Sequence, residues 1–238
     1  MDLGISDRVA VITAASRGLG RATAMALAAE GVRLVVNARS ADQLKQLRDE
    51  AGVEVEIVAG DMNDERLPEM LVNRALERFG RLDIVVANNA GPAPAGAFEV
   101  TDQQILDALT ANTLSAIRLV RAARPVMVEQ NWGRVCLIAS GSARQPMDNL
   151  VLSNVARPAL WGWAKTAANE LTASGVTLNI VCPGAHTTER VIELGRQDRS
   201  YIGDPGDFGH IVAFLCSAYT SYLTGTAVIV DGGRVQGL

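Results

Sequence analysis

The chain has 238 residues, 48% of them hydrophobic, enough to bury a full core and within the size of one α/β domain. Its net charge is −4, and the acidic and basic side chains are scattered, so no basic face marks it for nucleic acid. No apolar run approaches the roughly 20 residues of a membrane span, and the opening MDLGISDR lacks the apolar core of a signal peptide, which reads as cytoplasmic. Small-molecule chemistry is the expectation.

Apolar runs recur at 9–13, 33–37, 53–58, 82–87, 134–139, 176–181 and 227–230, with helical patterns between them. The runs are apolar throughout instead of alternating, as in parallel strands covered by helices on both faces. They predict a doubly wound α/β fold of Rossmann type, in one domain spanning residues 1–238. Between the first run and the next helix, VAVITAASRGLGR places Gly18 and Gly20 where the backbone has to crowd a pyrophosphate at a helix N-terminus. A tight strand-to-helix turn uses glycine for structural reasons as well. Helix starts are marked by Ser40 with Gln43, by Thr101 with Gln104, and by Asp204 before Pro205. In the third helix Leu67, Met70, Leu71, Leu76 and Phe79 form one apolar face. Cys136, Cys182 and Cys216 sit in apolar stretches at spacings that match no metal pattern, and read as buried free thiols.

The tip of the second strand reads Asn37, Ala38, Arg39, without the carboxylate that binds a ribose 2′-hydroxyl. Arg39 and Arg17 can converge on a 2′-phosphate, which favours NADP over NAD.

The spacing Thr13, Ala14, Ser16, Arg17, Gly18, Leu19, Gly20 resembles the glycine signature of the short-chain dehydrogenases/reductases, with Ala14 in place of the first glycine. The resemblance covers almost the whole chain and includes the 3-oxoacyl-ACP-reductase-like members. It implies that Asp61 contacts the adenine and that Asn89, Ala90 and Gly91, after Asn88, form the turn following the fourth strand. It places Asn112 at the catalytic-site asparagine that helps hold a water chain, and Pro183, Gly184 and Thr188 at the nicotinamide carboxamide. It also implies a homodimer or homotetramer packed through helices at 101–129 and 158–173.

The catalytic pattern departs from the family. Ser140 fits its serine, but the tyrosine and lysine positions of YxxxK hold Ser153 and Arg157. Counting back from Pro183 and Gly184 gives the same register. A rival register through Trp161 and Lys165 would require eight residues to be lost before Pro183. Ser153 can hydrogen-bond an oxyanion but hardly protonate one, and Arg157 keeps the positive charge without relaying a proton, while its forked donors suit ribose hydroxyls or a substrate carboxylate. Pro158 suggests that this helix begins near Arg157. His186, on the nicotinamide loop, reads either as a substitute proton donor or as a structural loop histidine, and His210 as structural. The polar lid at 188–204, with Glu189, Arg190, Arg196, Asp198, Arg199 and Tyr201, is short for the family. Together these predict an NADP-dependent oxidoreductase acting on a ketone, aldehyde or alcohol with an atypical core. The rivals are a non-catalytic NADP-binding or scaffold protein, and a lyase or isomerase using the same pocket.

Overall fold

The computed structural model describes residues 2–195 and 201–237. Seven parallel strands form one sheet in the order β3-β2-β1-β4-β5-β6-β7. They are β1 Val9–Ile12, β2 Arg33–Ala38, β3 Val55–Ala59, β4 Ile84–Ala87, β5 Gly133–Ile138, β6 Val176–Pro183 and β7 Ala227–Val230. The helices are α1 Gly18–Ala29, α2 Ala41–Ala51, α3 Leu67–Phe79, α4 Asp102–Leu109, α5 Ser115–Glu129, α6 Val151–Leu171, α7 Glu189–Glu193 and α8 Pro205–Leu215.

The pleat explains the continuous apolar runs. Val9 and Val11 face one core with Leu71, Leu119 and Leu160, from α3, α5 and α6. Ala10 and Ile12 face the other with Leu27, Leu44 and Phe208, from α1, α2 and α8. Both faces of the strand are buried, so alternation disappears from the sequence. Cys136, Cys182 and Cys216 are buried free thiols. No described helix is long and apolar enough to cross a membrane.

Several local expectations need correction. On α3 the buried face is Leu67, Leu71, Val72 and Ala75, while Met70 is half exposed. The third and fourth strands begin two residues later than expected, at Val55 and Ile84. Ser40 caps α2 by accepting from the Gln43 amide at 3.4 Å, whereas Thr101 and Gln104 form the full reciprocal box. Asp204 caps α8 as expected, accepting from the Gly206 and Asp207 amides. The helical stretch 101–129 is interrupted by a π turn at Thr110–Leu114.

The largest difference concerns Pro158. Helix α6 starts at Val151 and runs through the proline. Pro158 removes the amide that the Asn154 carbonyl would meet. Local contacts compensate: the Asn154 side chain holds both the amide and the carbonyl of Met147, at 3.0 and 2.9 Å, and Thr113 donates to the Ala156 carbonyl at 2.8 Å. Burial of Leu152, Ala156 and Leu160 fixes the same turn.

Candidate active site

A cleft of about 1400 Å³ lies over the carboxyl ends of the strands. It collects Ser16, Arg17, Gly18, Leu19, Arg39, Asp61, Asn89, Ala90, Gly91, Asn112, Ser140, Ser153, Arg157, Pro183, Gly184, His186 and Thr188 on one wall system. Thr13 and Gly20 shape it from behind. Thr13 is fully buried, and its hydroxyl donates to the Asn88 carbonyl at 2.7 Å while accepting from the Asn88 amide at 2.9 Å. A Cβ on Gly20 would stand 2.2 Å from the Ala14 carbonyl oxygen, so only glycine lets the turn close. Ala14 carries φ +48°, the left-handed conformation that glycine adopts without strain.

Arg17 is the N-cap of α1 and its side chain caps nothing, so the first amides of that helix keep their donors for an anion. The Arg17 guanidinium reaches Glu193 on α7 at 3.4 Å, an exposed pair of small energetic weight. Arg39 is exposed on the cleft wall just past β2. Asp61 is exposed and accepts from the Asn63 amide at 2.9 Å, and Asn89 donates to the Ser115 hydroxyl at 3.2 Å.

At the other end of the cleft, Asn112 sits in the π turn, a distortion common at functional sites. Its Nδ2 donates to the Ala108 carbonyl at 3.2 Å, and its buried Oδ1 has no partner among the described residues. Ser140 accepts from the Ser142 amide at 3.2 Å. Ser153 lies 2.8 Å, oxygen to oxygen, from Ser142. Arg157 is 3% exposed; its Nη1 donates to the Ile138 carbonyl at 3.1 Å, and among the described residues its Nε has no partner. Burial pushes this guanidinium down to about 10, and the positive charge of Arg190 acts in the same direction. Burial likewise pushes the Cys182 thiol up to about 11, away from nucleophilic use.

The rival register does not reach this place. Lys165 is exposed and its Nζ donates to the Gly225 carbonyl at 2.8 Å, and Trp161 packs against the core. Neither lines the cleft.

Gly184 packs on the Asp231 backbone, which a Cβ would approach to 2.7 Å. His186 is 5% exposed, with Nδ1 3.3 Å from the Gly184 carbonyl and its ring edge-on to Phe208 at 5.1 Å. Burial lowers its pKa, so the ring is neutral at pH 7 and suited to holding the loop. His210 is exposed on α8. Thr188 donates to the His186 carbonyl at 3.2 Å and precedes α7, which crosses the glycine turn. From α7, Arg190 donates to the Pro92 carbonyl at 2.5 Å beside Gly91. Of the polar lid, Arg196, Asp198 and Arg199 lie outside the described residues; Tyr201 is exposed, with its ring close to Gly232.

Sequence reasoning missed Gln145, Met147, Arg234 and Val235, which wall the cleft, and Ser142, which does not line it but touches Ser153. No spacing rule reaches the tail residues, although Ser142 lies only two positions past Ser140. Among the described residues no group of His, Cys, Asp or Glu forms a metal-binding cluster.

The family described as enoyl-(acyl carrier protein) reductase matches residues 13–234. The chain belongs to the short-chain dehydrogenase/reductase family. Among other members of the short-chain family, it is 30% identical to the 3-oxoacyl-[acyl-carrier-protein] reductase FabG of Salmonella typhimurium, over 97% of this chain and 98% of that one. It is also 30% identical to (2S)-[(R)-hydroxy(phenyl)methyl]succinyl-CoA dehydrogenase subunit BbsD of Thauera aromatica, over 98% of each chain. The structure of L-sorbose reductase from Gluconobacter frateurii, complexed with NADPH and L-sorbose, superposes with a TM-score of 0.92 at 30% identity over the whole of both chains.

Proposed function

We propose that this short-chain family member is an NADP(H)-dependent oxidoreductase that reduces a ketone or aldehyde, or oxidises the alcohol, with a serine and an arginine in place of tyrosine and lysine. The carrying observation is the cofactor end of the cleft. Uncapped α1 amides, the closed turn at Gly20 and exposed Arg39 with no carboxylate at the β2 tip together suit a dinucleotide bearing a 2′-phosphate. NADPH, when bound, supplies a hydride to a carbonyl carbon.

In this reading Ser16, Gly18 and Leu19 hold the pyrophosphate, Arg39 with Arg17 the 2′-phosphate, and Asp61 the adenine. Asn89, Ala90 and Gly91 form the turn beneath the cofactor, with Pro183, Gly184, His186 and Thr188 at the nicotinamide. Arg157, which lines the cleft, offers guanidinium donors to the ribose or to a substrate oxygen. Ser153 and Ser140 donate to the reacting oxygen, and Asn112 helps hold a water that delivers the proton. A serine hydroxyl is a far weaker acid than a phenol of pKa about 10, so the site stabilises the oxygen and leaves protonation to solvent. The domain spans 1–238 with its lid near 188–204. The exposed side chains of Leu106 and Leu114 support assembly as a homodimer or homotetramer through α4, α5 and α6.

One rival keeps a specific observation in its favour. Loss of the tyrosine fits an NADP-binding protein without turnover. One experiment separates the two. Thermal shift with NADPH and NADH should show a clear preference for NADPH, on the order of 2.7 kcal/mol of stabilisation at a hundredfold excess over Kd. Arg39→Asp should reverse it. A carbonyl screen following NADPH absorbance should then find turnover. Equal shifts would refute the NADP assignment; binding without oxidation across the screen would favour the rival.

A further inference from the structure

Two hydroxyls, Ser142 and Ser153, stand 2.8 Å apart in the wall of the reacting end. They share one hydrogen bond and carry two protons, so one proton is left over. Its direction follows from burial. Ser142 is 1% exposed, does not line the cleft, and among the described residues its Oγ has no other partner. If Ser153 donated to Ser142, the Ser142 proton would be buried without an acceptor, which is costly. The favourable arrangement has Ser142 donating to Ser153, whose own proton then points into the cleft that it lines. A donor whose oxygen already accepts a hydrogen bond is also polarised toward stronger donation.

We propose that Ser142 is a positioning residue that fixes Ser153 as a one-way donor, so that the reacting end selects ligands presenting an acceptor oxygen, such as a carbonyl. The identity of that oxygen rests on the reductase reading above; the orientation of Ser153 does not. Arg157 does not fill this role here: its Nη1 is turned to the Ile138 carbonyl, and no hydrogen bond joins its guanidinium to Ser153. Ser140 does not either, because its Oγ accepts from the Ser142 amide and makes no bond to Ser153.

The test compares crystal structures and kinetics of the full chain, three variants at Ser142, Ser153→Ala and the double variant. Ser142→Ala should leave NADPH affinity intact and let the Ser153 hydroxyl occupy more than one rotamer. On a substrate found by the screen it should lower kcat about 10- to 100-fold with KM little changed, a smaller loss than for removing a direct donor. Ser142→Cys fills the same space with a poor donor and should give the same loss, which covers the case in which the alanine variant does not fold. Ser142→Thr keeps the hydroxyl and should restore both rotamer and rate. Combined with Ser153→Ala, the Ser142 change should add nothing further. A single, unmoved Ser153 rotamer in Ser142→Ala or Ser142→Cys would overturn the proposal, and so would a full rate there beside a lowered rate in Ser153→Ala. Should no carbonyl be turned over by the unaltered protein, the reductase reading fails while the rotamer comparison still decides the role of Ser142.

Discussion

At the amino end of the strands Asp83 is completely buried, and its two oxygens take Arg8 at 2.9 Å, Arg81 at 2.7 Å and the Val9 amide at 2.9 Å. At the carboxyl end Arg157 is almost as deeply buried but holds a single carbonyl, and among the described residues its Nε and the Asn112 Oδ1 have no partner. Both ends bury charge, yet only one spends its hydrogen bonds internally. Carboxylate and guanidinium groups close on each other around Asp83, holding Arg81 above its ordinary range. Around Arg157 part of the bonding capacity is left unspent among the described residues. The contrast is what a parallel sheet produces when ligands bind at strand carboxyl ends and the opposite edge has only to be stable.

If that contrast is right, Asp83→Ala should give the largest loss of stability, about 3 kcal/mol by urea denaturation, because it strands two guanidinium groups and a buried amide. NADPH affinity of the folded variant should be unchanged; a large loss of affinity would erase the division between the ends.

His186 sharpens the comparison through pH. Its folded pKa lies below the unfolded value, so the unfolded chain binds the proton first. Stability from this residue is present above about pH 6.5 and is lost as pH falls through the folded pKa, with a slope of at most about 1.4 kcal/mol per pH unit. His186→Gln should remove that slope from a series of denaturation curves. An unchanged slope would show that the ring stays uncharged in both states or titrates in neither.

Arg157→Met tests the unpaired charge directly. An isolated buried charge gives little to stability, so the apolar replacement should be neutral or gain about 1 kcal/mol while impairing NADPH binding or turnover. Destabilisation by several kcal/mol, with function intact, would move Arg157 to the structural side of the comparison. The smallest effect is expected at the cofactor turn. Ala14→Gly relieves a left-handed alanine and should stabilise by about 0.5 to 1 kcal/mol, readable as a rise in Tm.

The sequence alone determined the seven strands and the glycine turn. Those features are legible because they follow from local rules: apolar runs for strands buried on both faces, and glycine where a Cβ would strike the Ala14 carbonyl. Only the tertiary structure decided the start of α6, since the cost of Pro158 is local while the bonds from Asn154 and Thr113 come from segments that spacing does not relate. It also decided the partner of each polar atom at the reacting end. Ser142 turns toward Ser153, and Arg157 toward Ile138, because β5 and α6 pack side by side. Hydrogen bonds between elements distant in sequence depend on that packing, and no periodicity along the chain encodes them.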